Sequence, residues 1–153
     1  MSFRITGLQP QAFAHLFGLS DAELAAHGAV RHVGEGLPDR IELRDTRAGE
    51  SALLVNHEHQ PADTPYRSRH AIYVREGASE PFDAVVTRVP EMLRSRLLSL
   101  RAFDATGMMI DADVVAGDRA EDLIARLLAH DDVDCIHVHL ARRGCYAALI
   151  RRP

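Results

Sequence analysis

The chain has 153 residues, of which 46% are hydrophobic and 26% are charged, a composition typical of soluble globular proteins. This length predicts one domain, residues 1–153, with a core that is stable without disulfides. All 18 basic residues are arginine, which excludes chemistry that needs a lysine, such as a Schiff base or a Walker motif. The net charge of −4 argues against nucleic acid as a partner, because nucleic-acid-binding proteins carry clustered basic charge.

The pattern of apolar residues and cysteines predicts a cytoplasmic protein. No apolar run approaches the roughly 18 residues of a membrane span, so no membrane partner is expected. The first residues lack a basic segment followed by an apolar one, and therefore do not resemble a signal peptide. Cys135 and Cys145 are too few for a disulfide framework and are typical of reduced thiols, although a single disulfide between neighbouring strands stays open.

The N-terminal third predicts one strand and two helices. Residues 3–7 alternate as a strand does, and a short helix is expected after Pro10. The next helix is predicted to begin after Ser20, because Glu23 stands three positions on, the spacing of a capping box. Gly28 is suited to end it.

The central part predicts strands separated by turn-rich loops. Apolar alternation and β-branched residues favour strands in three segments: RIELRD (40–45), ESALLVNHEH (50–59) and RHAIYVRE (69–76). The proline-rich loop QPADTPYRS joins the last two. Residues 80–96 are ambiguous, and Pro90 is able to open one helical turn that runs through Arg96.

The C-terminal half predicts two hairpins around one helix. Residues 97–115 indicate two strands around the turn DATG. Apolar residues at helical spacing predict a helix over 118–130, with Asp118 as its N-cap. Residues 135–152 form a second hairpin around the turn RRG. Strands that arrive in hairpins favour an α+β fold: a mainly antiparallel sheet with two to three helices packed on it.

Histidines cluster at the ends of two central strands. Strand alternation places His57 and His59 on the same face as Leu53 and Val55. If the two strands pair across their loop, His70 gathers with them. Neutral imidazoles in such a group bind divalent metals. The alternative is that these histidines are ordinary polar residues at strand ends.

The last hairpin carries a second group of candidate functional residues. His137 and His139 share one strand face, and the turn returns Cys145 to within reach of His139. A thiol near an imidazole and near Arg142 and Arg143 is a possible nucleophile. The alternative is a small buried cysteine in a core strand.

The proline-rich loop carries a possible anion anchor. Arg67 and Arg69 follow Tyr66, and guanidinium groups bind carboxylate or phosphate through paired hydrogen bonds. The alternative is that both arginines lie on the surface, paired with Glu58 or Asp63.

Three stretches of the sequence resemble an uncharacterised bacterial family, DUF1203: EHQPADTPYRSRHAIYVREGA, RAFDATGMMIDADVV and IHVHLARRGCYAALI. The resemblance covers nearly the whole chain and implies a stand-alone bacterial domain, without an activity, cofactor or partner. The family pattern often has tyrosine at the position of His57 and cysteine at the position of Asp39. The first departure weakens a metal site built on His57, and the second removes a thiol partner for Cys145.

Candidate site residues inside the matching motifs therefore rank above His57; they are His59, Tyr66, Arg67, His70, His137, His139 and Cys145. The leading hypothesis is a pocket that binds a small anionic molecule, with Arg67 as the charge anchor. The second hypothesis is a metal-dependent enzyme that uses His59, His70 and either His137 or His139. The third is a structural or interaction module. The sequence identifies no cofactor, no reaction and no oligomeric state.

Overall fold

A computed structural model describes residues 1–153, in which nine strands and three α-helices follow one another. The strands are β1 (Phe3–Thr6), β2 (Val30–Val33), β3 (Ser51–Gln60), β4 (Ser68–Arg75), β5 (Asp83–Val86), β6 (Leu97–Phe103), β7 (Met109–Ala116), β8 (Cys135–Leu140) and β9 (Cys145–Arg151). The helices are α1 (Asp21–Ala26), α2 (Glu91–Arg94) and α3 (Ala120–Leu128). No helix is both long enough and apolar enough to cross a membrane.

The strands form two antiparallel sheets. The large sheet has six strands in the order β5-β1-β9-β8-β6-β7, and the small sheet has three in the order β2-β3-β4. β4 of the small sheet contacts β9 of the large one. The predicted α+β fold is confirmed, and the hairpins β6–β7 and β8–β9 lie where the sequence predicts them.

The helix α3 covers the large sheet. Its buried residues Leu123, Ile124, Leu127 and Leu128 recur at helical spacing and pack toward β6, β7 and β8. The predicted N-cap at Asp118 is wrong. The chain enters α3 through a 3-10 turn over Gly117–Arg119, so Asp118 lies in that turn.

The N-terminal helix α1 begins as predicted. The Ser20 hydroxyl accepts a hydrogen bond from the Glu23 amide, and the Glu23 carboxylate accepts one from the Ser20 amide, which completes the capping box. Gly28 follows the helix with a φ of 69°, a conformation that glycine adopts without strain. The short helix predicted after Pro10 is instead a pair of 3-10 turns, Pro10–Ala12 and Ala14–Leu16.

The strand predicted over residues 40–45 is wrong, because these residues form a loop. The buried carboxylate of Asp39 accepts hydrogen bonds from the amides of Ile41, Glu42 and Arg75, which replace the regular bonds of a strand ladder. Leu43 has a φ of 52°, which also interrupts extended backbone. The small sheet takes its third strand from β2, which the sequence analysis missed; three of its four residues are exposed.

Candidate functional site

The two histidine segments of the sequence meet between the sheets. On the small sheet, His59 belongs to β3 and His70 to β4. On the large sheet, His137 and His139 belong to β8. The His59 ring lies 4.8 Å from the ring of His139 and 5.2 Å from that of His137, measured between ring centroids. These four residues are called the histidine cluster below.

Aromatic packing holds His59 at the centre of the cluster. Its ring stacks on His70 at 4.8 Å on one side and on Tyr146 at 5.0 Å on the other. Phe103 packs against His137, with ring centroids 4.6 Å apart. Because His59 is confined between two parallel rings, the plane of its imidazole is fixed.

The backbone orients His139. Its Nδ1 lies 2.9 Å from the carbonyl oxygen of Gly144. A carbonyl oxygen only accepts hydrogen bonds, so this contact requires the proton on Nδ1 and leaves a lone pair on Nε2. Histidines that bind metals are commonly oriented in this way, by a hydrogen bond from the ring nitrogen that faces away from the ion.

The histidine cluster contains all the buried side-chain nitrogen and oxygen atoms of the protein that lack a hydrogen-bond partner. These atoms are Nε2 of His59, Nδ1 of His70 and Nε2 of His139. A buried polar atom without a partner costs about 1–3 kcal/mol, and native proteins contain few of them. Three such atoms therefore lie in one cluster, each free to contact a further group.

Burial keeps the cluster neutral at physiological pH. Desolvation is the main cause that lowers the pKa of His59 to about 2, of His139 to about 3 and of His137 to about 4. It lowers the pKa of His70 as well. The positive charge of Arg101, on neighbouring β6, lowers these values further. Neutral imidazole is the form that coordinates a metal.

Three of the imidazoles are spaced as a set of metal ligands. One ring nitrogen from each of His59, His137 and His139 lies within 4.8 Å of those of the other two. The Nδ1 atoms of His59 and His137 are 2.9 Å apart. Bonds of about 2.0–2.1 Å to a tetrahedral zinc ion separate the ligand nitrogens by roughly 3.3 Å. The three nitrogens therefore lie within about 1.5 Å of the spacing that a common ion requires.

A cavity of about 290 Å³ leads to the cluster. His59, His137 and Tyr146 form part of its wall, beside Cys135 and Arg151. A small molecule that entered this cavity would therefore contact His59 and His137, two of the three closely spaced imidazoles.

The sequence pattern of the family described as Protein of unknown function (DUF1203) matches residues 36–152, which is most of the chain. The chain belongs to the DUF1203 family. Searches of curated proteins and of solved structures gave no match. The matched region of this DUF1203 protein contains the whole histidine cluster.

Two of the candidate residues lie away from the cluster of this DUF1203 protein. The side chain of Arg67 is 56% exposed, and its Nε donates a 2.8 Å hydrogen bond to Glu58. The Glu58 carboxylate also lies 4.0 Å from Arg69, which donates a hydrogen bond to exposed Asn56, so Glu58 belongs to the solvent-facing side of the small sheet. Tyr66 is 37% exposed, with its ring edge toward Phe103. The structure therefore does not bring Arg67 and Tyr66 to the histidines as one pocket.

Cys145 contacts an arginine that the sequence analysis did not select. Its Sγ lies 3.0 Å from Nη2 of buried Arg40, while Arg142 and Arg143 make no ion pair or hydrogen bond to it through their side chains. Cys135 and Cys145 are both free thiols, so the possible disulfide is not formed. His57 lies beside the cluster, 6.3 Å from Tyr146 between ring centroids.

Tyr146 is the main residue of the DUF1203 site that the sequence analysis missed. A bulge lets Tyr146 pair with His139, although Leu149, three positions on, pairs with His137. Simple alternation cannot place residues 146 and 149 on the same face, whereas one extra residue in β9 does. The only signal in the sequence was an aromatic residue next to Cys145.

Proposed function

We propose that this DUF1203 protein is a metal-dependent enzyme whose metal-binding residues are His59, His137 and His139. The observation that carries the proposal is the close grouping of one ring nitrogen each from buried His59, His137 and His139. His59 and His139 each also have a buried Nε2 without a hydrogen-bond partner. A transition-metal ion bound through Nε2 of His59 and Nε2 of His139 would supply a partner for two of the three unpaired nitrogens, while Nδ1 of His70 is not a proposed ligand atom. It also explains why Gly144 orients His139 with a free lone pair on the buried nitrogen.

The ligand type favours zinc or a neighbouring transition metal. Imidazole nitrogen suits zinc, copper, nickel and iron, whereas magnesium and calcium prefer oxygen ligands. All three ligands are histidines, and each is buried. A divalent transition ion, with zinc as the first candidate, is therefore the chemistry that this group fits.

The number of proposed protein ligands, three, favours a catalytic metal site over a purely structural one. Structural zinc sites usually have four protein ligands, while catalytic sites have three and keep a position for water or substrate. The cavity that reaches His59 and His137 provides room for that fourth ligand. We place the protein in the cytoplasm of a bacterium, a location that its two free thiols support.

The first prediction concerns metal content. Protein purified without a histidine tag or a chelating column is expected to contain about one metal ion per chain. Added zinc should raise the Tm of the metal-free protein by roughly 5–10 °C at a concentration about a hundredfold above Kd. Elemental analysis and thermal unfolding measure these effects. The absorption spectrum of the cobalt-substituted protein reports the coordination geometry.

The matched variants are His139→Ala, which removes a ligand, and His130→Ala, which removes an exposed histidine elsewhere. We expect His139→Ala to lose the bound metal and the zinc-dependent rise in Tm, and His130→Ala to keep both. If zinc, nickel and manganese leave the Tm of the parent protein unchanged and elemental analysis finds no metal, the proposed function is wrong. The histidines would then belong to a structural or interaction module.

A further inference from the structure

A second cavity, of about 700 Å³, lies beside the histidine cluster and is rich in positive charge. The loop around Pro38, the beginning of β4, the residues after α2 and the β8–β9 turn enclose it. Four arginines line it, together with His70, and no aspartate or glutamate does; the arginines are Arg40, Arg96, Arg142 and Arg143. Such a concentration of cationic groups without carboxylates attracts an anion.

Arg40 forms the buried wall of this arginine cavity. The residue is 1% exposed, and its guanidinium donates to the carbonyl oxygens of Pro38 and Tyr146 and to Sγ of Cys145. Its guanidinium makes these three contacts rather than an ion pair, although the nearby Asp39 carboxylate favours its charge. Burial lowers the pKa of Arg40, because desolvation disfavours its charged form. Nη1 and Nη2 each carry a further N–H that these contacts do not use.

Arg142 and Arg143 supply free charge at the mouth of the arginine cavity. Both are exposed, and neither side chain makes a hydrogen bond or an ion pair with the protein. Arg96 differs, because Asp45 holds it at 2.8 Å. One buried guanidinium and two unpaired exposed ones therefore face the same space.

We propose that the arginine cavity is a binding site for a small organic anion whose phosphate or carboxylate group is held by Arg40, Arg142 and Arg143. Guanidinium groups bind the oxygens of such anions through paired, charge-assisted hydrogen bonds. A bound anion also compensates the buried charge of Arg40, which makes no direct ion pair within the protein. The volume accommodates a molecule of metabolite size.

His70 connects the two sites. It lines the arginine cavity, and its ring lies 4.8 Å from His59 and 5.2 Å from His139. A ligand held by the arginines is therefore next to the proposed metal-binding residues. The anion site does not depend on the metal, since Arg40, Arg142 and Arg143 are not among the proposed metal ligands.

The experiment measures binding of inorganic phosphate and of succinate to metal-free protein, with chloride at matched ionic strength as the reference. We expect both anions to raise the Tm above the value in chloride. Changing Arg142→Gln and Arg143→Gln together is expected to weaken binding by about tenfold or more, because charge-assisted hydrogen bonds are lost. Both side chains are exposed, so this variant is expected to fold, whereas a change at Arg40 tests folding as well as binding.

The matched control changes Arg67→Gln and Arg69→Gln, which removes the same charge from exposed arginines that do not line the cavity. This control variant is expected to bind phosphate and succinate with the same affinity as the parent protein. The proposal is overturned if neither anion exceeds chloride, or if both double variants weaken binding equally. Phosphate should also shift the backbone amide resonances of residues 142–145; shifts confined to other regions contradict the site.

A repeat with His139→Ala separates this proposal from the proposed function. Anion binding that persists in the variant supports an arginine site independent of the metal. Loss of anion binding in His139→Ala, with the arginines intact, overturns that independence.

Discussion

Acidification of the metal-free protein from about pH 7 to about pH 5.5 is expected to lower its free energy of unfolding by about 4 kcal/mol. Burial lowers the pKa of His59, His137 and His139 to about 2, 4 and 3, so these residues stay neutral in the folded protein throughout this range. In the unfolded chain their pKa is about 6.5, and each takes up a proton. Because the unfolded state binds more protons, stability is lost as the pH falls.

Between these two pH values, the histidines change the stability more than most carboxylates do. Glu50 and Glu76, whose pKa values are lowered to about 2, change the stability only below their unfolded values, near about pH 4.5. His57 and His70 act in the same direction as the buried cluster, since burial lowers their pKa values as well. Asp39, whose pKa is raised by burial, acts in the opposite direction.

Urea unfolding at several pH values measures the effect, with an unchanged m value as evidence that the transition is the same one. His139→Gln should remove about one third of the change assigned to His59, His137 and His139, because one of these three imidazoles is lost. A free energy of unfolding that is constant between these two pH values would contradict a neutral, desolvated cluster.

Gly7→Ala is expected to destabilise the protein by about 3 kcal/mol or more, a large effect for a single methyl group. A Cβ at this position would lie 2.1 Å from the carbonyl oxygen of Ile41 and 2.9 Å from that of Arg40. Both atoms belong to the backbone, so the loop itself must move. Leu8 donates a 2.7 Å hydrogen bond to the Arg40 carbonyl, which the same movement disturbs.

The displaced loop carries Arg40, so Gly7→Ala is also expected to weaken phosphate binding in the arginine cavity. Urea unfolding and phosphate titration measure the two effects in the same variant. Gly34→Ala is the matched control, since no atom lies within 4 Å of a Cβ there and its φ is not positive. Equal stabilities for the two variants would show that the contact at Gly7 is relieved without movement of the loop.

The sequence by itself determined much of the local structure and the membership of the DUF1203 family. The alternation of β3 and β4, the capping box of α1 and the two C-terminal hairpins all depend on residues close together in the chain. The same patterns identified both histidine segments. Local signals were sufficient here because strand faces and helix caps are determined by spacing along the chain.

Only the tertiary structure decided how these pieces combine into sites. The two sheets bring His59 to His137 across 78 positions of sequence. A bulge in β9 then turns Tyr146 toward the histidines. The loop that replaced a predicted strand buries Arg40 against Cys145, while Glu58 holds Arg67 on the outer face of β3. These outcomes depend on contacts between distant segments and on a one-residue shift in pairing, neither of which periodicity along the chain encodes.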